Sequence, residues 1–362
     1  MKKRQISLDL IRVLAIVGVV ATHTENITAS KTNYLGGISW WFANWIHSLV
    51  VVSVPLFIML SGFLLLRKKE LSIKYVIRKI MEQFLPPLLF WWIFYYLWNG
   101  RANLTWDLKI FFSNFFSTEI GHLYFLQIIF GLYLISPLVL RLVQKNRLTK
   151  WFLAIGTLLA MAYEYFSFLV FKTYNQTNLF VIFVPFIIYF VWGYYLSQIS
   201  LSKRQWWLGA GGVLVIVSLI SVLTFVSTNF YNQGNKLFWT PAGGNMLWEP
   251  FTFPVLLLST MVFILLNNIE KICPNIFQSK KLSWFLVLVS NLSFGIYLIH
   301  PFVLDRIDNI FSLSIHLTSM PLWFYYIYRT GLVFIISVLV VLLASKIKIF
   351  NVVLGIRKKY LS

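Results

Sequence analysis

Leu8-Asp9-Leu10-Ile11-Arg12-Val13-Leu14-Ala15-Ile16-Val17-Gly18-Val19-Val20-Ala21-Thr22-His23-Thr24 is an apolar run with ionisable side chains inside it. At the centre of a membrane helix such a group costs about 2.5 to 3.5 kcal/mol even on the mildest insertion scale, so Arg12 and His23 face a protein interior and mark a site. Their spacing sets its geometry. Eleven residues at roughly 100° each come to three turns plus about 20°, so Arg12 and His23 share one helical face about 16 Å apart along the axis. Asp9, three residues before Arg12, joins the same stripe. The opening helix therefore carries a polar track from near one membrane surface deep into the other half.

The rest of the chain has the composition of a membrane protein. Of 362 residues 59% are hydrophobic and only 12% charged, with a mean hydropathy of +0.76, which excludes an ordinary soluble domain. Fifteen Trp, eighteen Tyr and thirty-four Phe suit a structure with many helix ends in two interfacial belts. The hydrophobic windows predict an all-α, polytopic fold of about ten transmembrane helices. They cover Ser7 to Thr24, Trp41 to Leu66, Phe84 to Trp98, Leu123 to Leu142, Trp151 to Phe171, Leu179 to Gln198, Trp206 to Val226, Pro250 to Asn267, Trp284 to Leu304 and Pro321 to Ser345. The third is the shortest and is expected to extend backwards through a basic helix, Ser72 to Gln83. Of the 31 Lys and Arg residues, 23 fall in segments that this alternation places on one side. By the positive-inside rule both termini are cytoplasmic, as an even number of spans also requires. Residues 1–362 then form a single integral domain in the cell (plasma) membrane. Ser227 to Glu249 and Asn99 to His122 are the longest outer loops.

Several classes are excluded. A net charge of +20 is scattered in short clusters between spans, without the basic arm or zinc spacing of a nucleic-acid binder. The single Cys273 permits no intramolecular disulfide framework. Five dispersed His residues with no His-x-x-x-His or His-Glu pair give no metal site, and no Gly-x-Ser-x-Gly elbow anchors a serine hydrolase. Lys2-Lys3-Arg4 resembles the start of a signal peptide, but the run after it is long and lacks a small-residue cleavage site, so it reads as a retained span.

Arg12-x10-His23 resembles the first-helix signature of the acyltransferase family 3 membrane proteins. Further likenesses follow in order: Val54-Pro55-Leu56-Phe57-Ile58-Met59-Leu60-Ser61-Gly62-Phe63, the basic motif Lys74-Tyr75-Val76-Ile77-Arg78, His122-Leu123-Tyr124-Phe125-Leu126, and Asn291-Leu292-Ser293-Phe294-Gly295-Ile296-Tyr297-Leu298-Ile299-His300-Pro301. Ile77 stands where the family usually has Phe or Leu. The resemblance implies transfer of an acyl group, commonly acetyl, from a cytoplasmic acyl-CoA to a hydroxyl of a cell-surface glycan or lipid-linked sugar. Acyl-CoA enters as donor substrate and no cofactor is permanently bound.

The residues suit that chemistry. Acyl transfer to a hydroxyl needs a base near neutrality, and the unperturbed imidazole is nearest, which makes His23 the candidate catalytic residue. It would deprotonate the attacking hydroxyl or itself carry the acyl group; the first route needs only one transfer. Coenzyme A is a long anion, so Arg12 would meet its phosphates with the thioester at His23. Lys74 and Arg78, four apart on one helical face, join the donor-binding set, although the same residues would serve topology or anionic lipid. Asp9 supports Arg12 by pairing with it. His122, Tyr124 and His300 are candidates for the acceptor side or a proton relay. Glu25 is a weaker candidate for tuning His23, and Glu164 is expected either in a polar cavity or paired with Arg329. Membrane lipids and the two substrates are the expected partners, and self-association into a homo-oligomer is compatible with the sequence. A transporter or flippase of a glycan precursor is the alternative, since it too needs many spans and interior charge.

Overall fold

A computed structural model describes residues 4–24, 35–99, 121–144, 146–166, 179–234, 245–310 and 321–356. Seven of its helices are long and apolar enough to cross a membrane, and the described residues are helical apart from turns and short connections. This is the expected all-α, multi-pass fold. The chain divides into two compact units, one comprising residues 1–57, 161–174 and 196–342, the other residues 58–160, 175–195 and 343–362.

In the first unit the opening helix α1 (Ile6–Thr24) lies among α2 (Ile38–Val50) and helices from the C-terminal half. Asp9 in its first turn opposes the positive end of the helix dipole. One of its orphan backbone donors, the Ser7 N–H, is met by Glu270 Oε2 at 3.2 Å. Gly18 is small because the Ser53 side chain occupies the space a Cβ would need.

Helix α3 (Ser53–Leu66) continues α2 across a two-residue turn. It is followed by α4 (Ile73–Gln83) and α5 (Leu85–Asn99). The Ser72 hydroxyl caps α4 by accepting from the Tyr75 N–H at 3.2 Å. The expected backward extension of the third span is interrupted here: α4 ends at Phe84, and Pro86 and Pro87, lacking N–H groups, open a new helix rather than continue the old one.

Helices α6 (Tyr124–Gln144), α7 (Asn146–Phe166) and α8 (Leu179–Leu196) follow. Within the second unit Gly62 and Gly193 make the tightest approach. A Cβ on Gly62 would overlap the Phe190 carbonyl, and one on Gly193 the Met59 carbonyl, so two backbones cross with no side chain between them. Trp91 Nε1 donates to the Val353 carbonyl at 2.9 Å, and Gln144 Nε2 to the Lys69 carbonyl at 3.0 Å.

Helix α9 (Lys203–Asn232) starts with a capping box: Ser202 Oγ accepts from the Gln205 N–H at 3.3 Å and the Ser202 N–H donates to Gln205 Oε1 at 2.9 Å. Its thirty residues span about 45 Å, so Ser227 to Asn232, expected in an outer loop, prolong the helix. The buried Ser227 and Thr228 keep that extension packed, and Asn245 Nδ2 donates to Ser227 Oγ at 2.5 Å. Helix α9 is held to α2 by small polar side chains, with Asn44 Nδ2 on the Ser221 carbonyl at 2.9 Å and Ser221 Oγ on Ser48 Oγ at 3.3 Å. It is held to α10 (Phe253–Ile272) by Trp206 Nε1, which donates to the Leu265 carbonyl at 2.9 Å. After a single turn at Pro274–Phe277, α11 (Lys280–Ile310) and α12 (Leu322–Ala344) complete the first unit, and the short α13 (Lys348–Val353) lies in the second.

Candidate active site

Two polar centres lie on α1, and both meet α11. At the first, the Asp9 carboxylate, whose side chain is 2% exposed, is gripped by Arg4. Arg4 Nε donates to Oδ2 at 2.7 Å and its Nη2 to Oδ1 at 2.8 Å, a bidentate fork. Arg4 also reaches Asn291 Oδ1 at 3.2 Å. The Ser290 hydroxyl donates to Asp9 Oδ1 at 2.7 Å. Arg12 lies further off, with Nη1 3.5 Å from Asp9 Oδ1 and 3.3 Å from Ser290 Oγ. The principal partner of Asp9 is thus Arg4, and the Arg12 side chain keeps 28% of its surface open. A cation steered by a carboxylate yet still partly accessible is suited to an anionic ligand.

The second centre lies fourteen residues along α1, about 21 Å by helical rise. The half-buried His23 ring sits with its centroid 5.1 Å from that of the fully buried His300, tilted by 46°. His300 Nδ1 is 2.7 Å from the Tyr297 carbonyl and 3.3 Å from that of Ile296. The helix end beside His23 is fastened by three residues of one face of α12. Tyr326 OH donates to the Ala21 carbonyl at 3.3 Å, Thr330 Oγ1 lies 2.6 Å from Thr24 Oγ1, and Arg329 Nη1 donates to the Thr24 carbonyl at 2.5 Å. The rest of the Arg329 guanidinium forks onto both carboxylate oxygens of Asp308 at the end of α11. Arg329, offered in the sequence as one possible partner of Glu164, is engaged by Asp308.

The remaining candidates fall elsewhere. Lys74 and Arg78 lie on α4 in the second unit, both exposed, with Arg78 Nε 4.0 Å from Glu82 Oε1. Their neighbour Lys79 donates to Tyr133 OH at 3.2 Å. His122 is buried in the turn Gly121–Leu123, its ring edge-on to Tyr95 with centroids 4.8 Å apart, and Tyr124 opens α6. Of the three acceptor-side candidates, His300 meets His23 within the first unit, and His122 and Tyr124 belong to the second. Glu25 lies outside the described residues. Among the described residues no cluster of His, Cys, Asp and Glu could hold a metal ion. Sequence reasoning missed Arg4, which reads as one of a basic leader cluster. It also missed Ser290, which immediately precedes the quoted motif beginning at Asn291.

Membrane-crossing helices with ionisable side chains gathered on their interior faces define a multi-pass membrane protein with a polar site buried in it. The chain belongs to the acyltransferase family 3: it matches the family's acyltransferase domain over residues 5–345. It is similar to a protein of Staphylococcus aureus (strain MRSA252) named "Probable poly-beta-1,6-N-acetyl-D-glucosamine export protein", with 23% identity over 329 residues, 86% of this chain and 87% of the relative. No solved structure matches.

Proposed function

We propose that this acyltransferase moves an acyl group, commonly acetyl, from cytoplasmic acyl-CoA to a hydroxyl of a cell-surface glycan or lipid-linked sugar, with His23 as general base. Family membership supports the class of reaction, and the polysaccharide in the relative's name supports the class of acceptor. The observation that carries the reading is the placing of His23 against the buried His300, on the helix whose other end bears Arg12 and Asp9. The acceptor oxygen attacks the thioester carbonyl while its proton passes to His23. The C–S bond then breaks, and the imidazolium returns that proton to the departing thiolate. Arg12 would hold the donor's phosphates and Asp9 would orient it; in the second unit Lys74 and Arg78 are proposed as donor-binding cations, and His122 and Tyr124 as acceptor-side residues.

A donor arriving from the cytoplasm requires a definite topology. Helices α1 and α11 run in the same direction, because Asp9 meets Ser290 at one end and His23 meets His300 at the other. Four long apolar stretches, Ile38–Leu66, Tyr124–Gln144, Lys203–Asn232 and Met246–Ile272, lie between them, and four crossings return the chain to the side where α1 ended. Among the described residues, parallel packing is then met by an odd number of further crossings among α5, α7 and α8. If all three cross, the plasma-membrane protein has ten spans and both termini on the cytoplasmic side.

Purified protein in nanodiscs, given labelled acetyl-CoA and the saccharide fraction of native membranes, is expected to incorporate label. His23→Ala is expected to lose at least about a hundredfold in turnover while remaining folded. Full activity in that variant would remove the base. A second reading, glycan export, rests on the relative's name. Glycan movement across a sealed vesicle without label incorporation would favour it.

A further inference from the structure

His300 is followed by Pro301 inside α11. In an uninterrupted helix the N–H of residue 301 would bond to the carbonyl of Tyr297, four residues back; proline has no N–H, so that carbonyl is left over. His300 fills the gap with Nδ1 at 2.7 Å. A carbonyl oxygen can only accept, so Nδ1 carries the hydrogen, and the neutral ring must present its lone pair on Nε2. The tautomer of a fully buried imidazole is thus written into the His-Pro pair, and that imidazole lies 5.1 Å, centre to centre, from His23.

We infer that His300 is the positioning residue of the reaction, a fixed-tautomer acceptor that orients His23 and holds the second ring N–H of the imidazolium formed when His23 takes the acceptor's proton. This rests on His23 being the base. A base that must present one nitrogen to a hydroxyl gains from a partner that holds the other, and a neutral lone pair does so without a second charge in the membrane interior. The reaction stays balanced: one proton moves from the acceptor oxygen to His23 and on to the thiolate, and His300 keeps its own.

Two amides separate this role from mere packing. The Asn side-chain nitrogen falls near the position of Nδ1, so His300→Asn keeps a donor for the Tyr297 carbonyl but offers nothing at Nε2. The Gln side-chain oxygen falls near Nε2, so His300→Gln keeps the acceptor. With labelled acetyl-CoA and native membrane saccharides, the Asn variant is expected to lose about a hundredfold in kcat with its KM for acetyl-CoA within about twofold. The Gln variant is expected to regain about tenfold, both melting within a few degrees of the native protein. An Asn variant with native kcat, or a folded Gln variant no faster than Asn, overturns the inference. If His23→Ala is inactive while His300→Asn turns over normally, only this inference falls. If His23→Ala is fully active, the underlying base assignment falls with it.

Discussion

The clasp at the end of α1 predicts a specific non-additivity. The Arg329 side chain is 6% exposed and that of Asp308 38%, and the guanidinium also serves the Thr24 carbonyl. Removing one partner of a fully buried pair costs about 3 to 5 kcal/mol, because the other charge is stranded. Asp308 is more than a third exposed, so in Arg329→Met its carboxylate rehydrates and the ion-pair loss shrinks to about 1 kcal/mol. The abandoned Thr24 carbonyl adds about 1 kcal/mol. Asp308→Asn strands the more deeply buried partner, a guanidinium that water reaches poorly, and is expected to cost about 3 kcal/mol. The double variant strands no charge and should be destabilised by about 2 kcal/mol rather than the additive 5 or so, a coupling of about 3 kcal/mol. Unfolding by SDS in mixed micelles, followed by Trp fluorescence, measures all four corners of the cycle. Additivity to within about 0.5 kcal/mol would refute the clasp. Since Thr24 follows His23 directly, Arg329→Met should also lower turnover about tenfold at a temperature where the protein is still folded.

Two further perturbations test the second unit. Gly62→Ala or Gly193→Ala drives a methyl into the carbonyl of Phe190 or Met59 and is expected to destabilise by about 1 to 3 kcal/mol in the same unfolding assay, and a neutral result in both would show that the crossing can widen. Lys74→Ala and Arg78→Ala remove exposed cations and should leave stability within about 0.5 kcal/mol while raising the KM for acetyl-CoA several-fold, and an unchanged KM in the double variant would take both out of the donor site.

The fold was legible where hydrophobicity was continuous. The opening run and the long stretches around His47, Leu132, Val217, Leu258, Leu292 and Val333 all emerge as helices long enough to cross, because a bilayer leaves the backbone no other way to satisfy its own hydrogen bonds. What hydropathy could not see was where such runs break or persist. The halt at Phe84 depends on Pro86 and Pro87, whose rings suit a first helical turn but not a helix interior. The persistence of α9 to Asn232 depends on Ser227 and Thr228, which score as polar loop residues until Asn245 and neighbouring side chains bury them.

For the site, periodicity placed Asp9, Arg12 and His23 on one stripe, but no period along one helix reports which other helix lies against it. Arg4 escaped because it precedes the helix, where a non-helical backbone lets its side chain reach Asp9 across an interval of five that helical spacing would not pair. His300 is different, since half of its role was local and therefore readable. A histidine directly before a proline inside an apolar helix has an orphaned carbonyl three residues behind it, and an Nδ1 hydrogen is the nearest donor that can satisfy it. Five histidines stand in this chain, and only His300 is followed by proline. The tautomer could thus have been read from two letters of sequence. Only the meeting with His23, which gives that tautomer something to do, required the packing of α11 against α1.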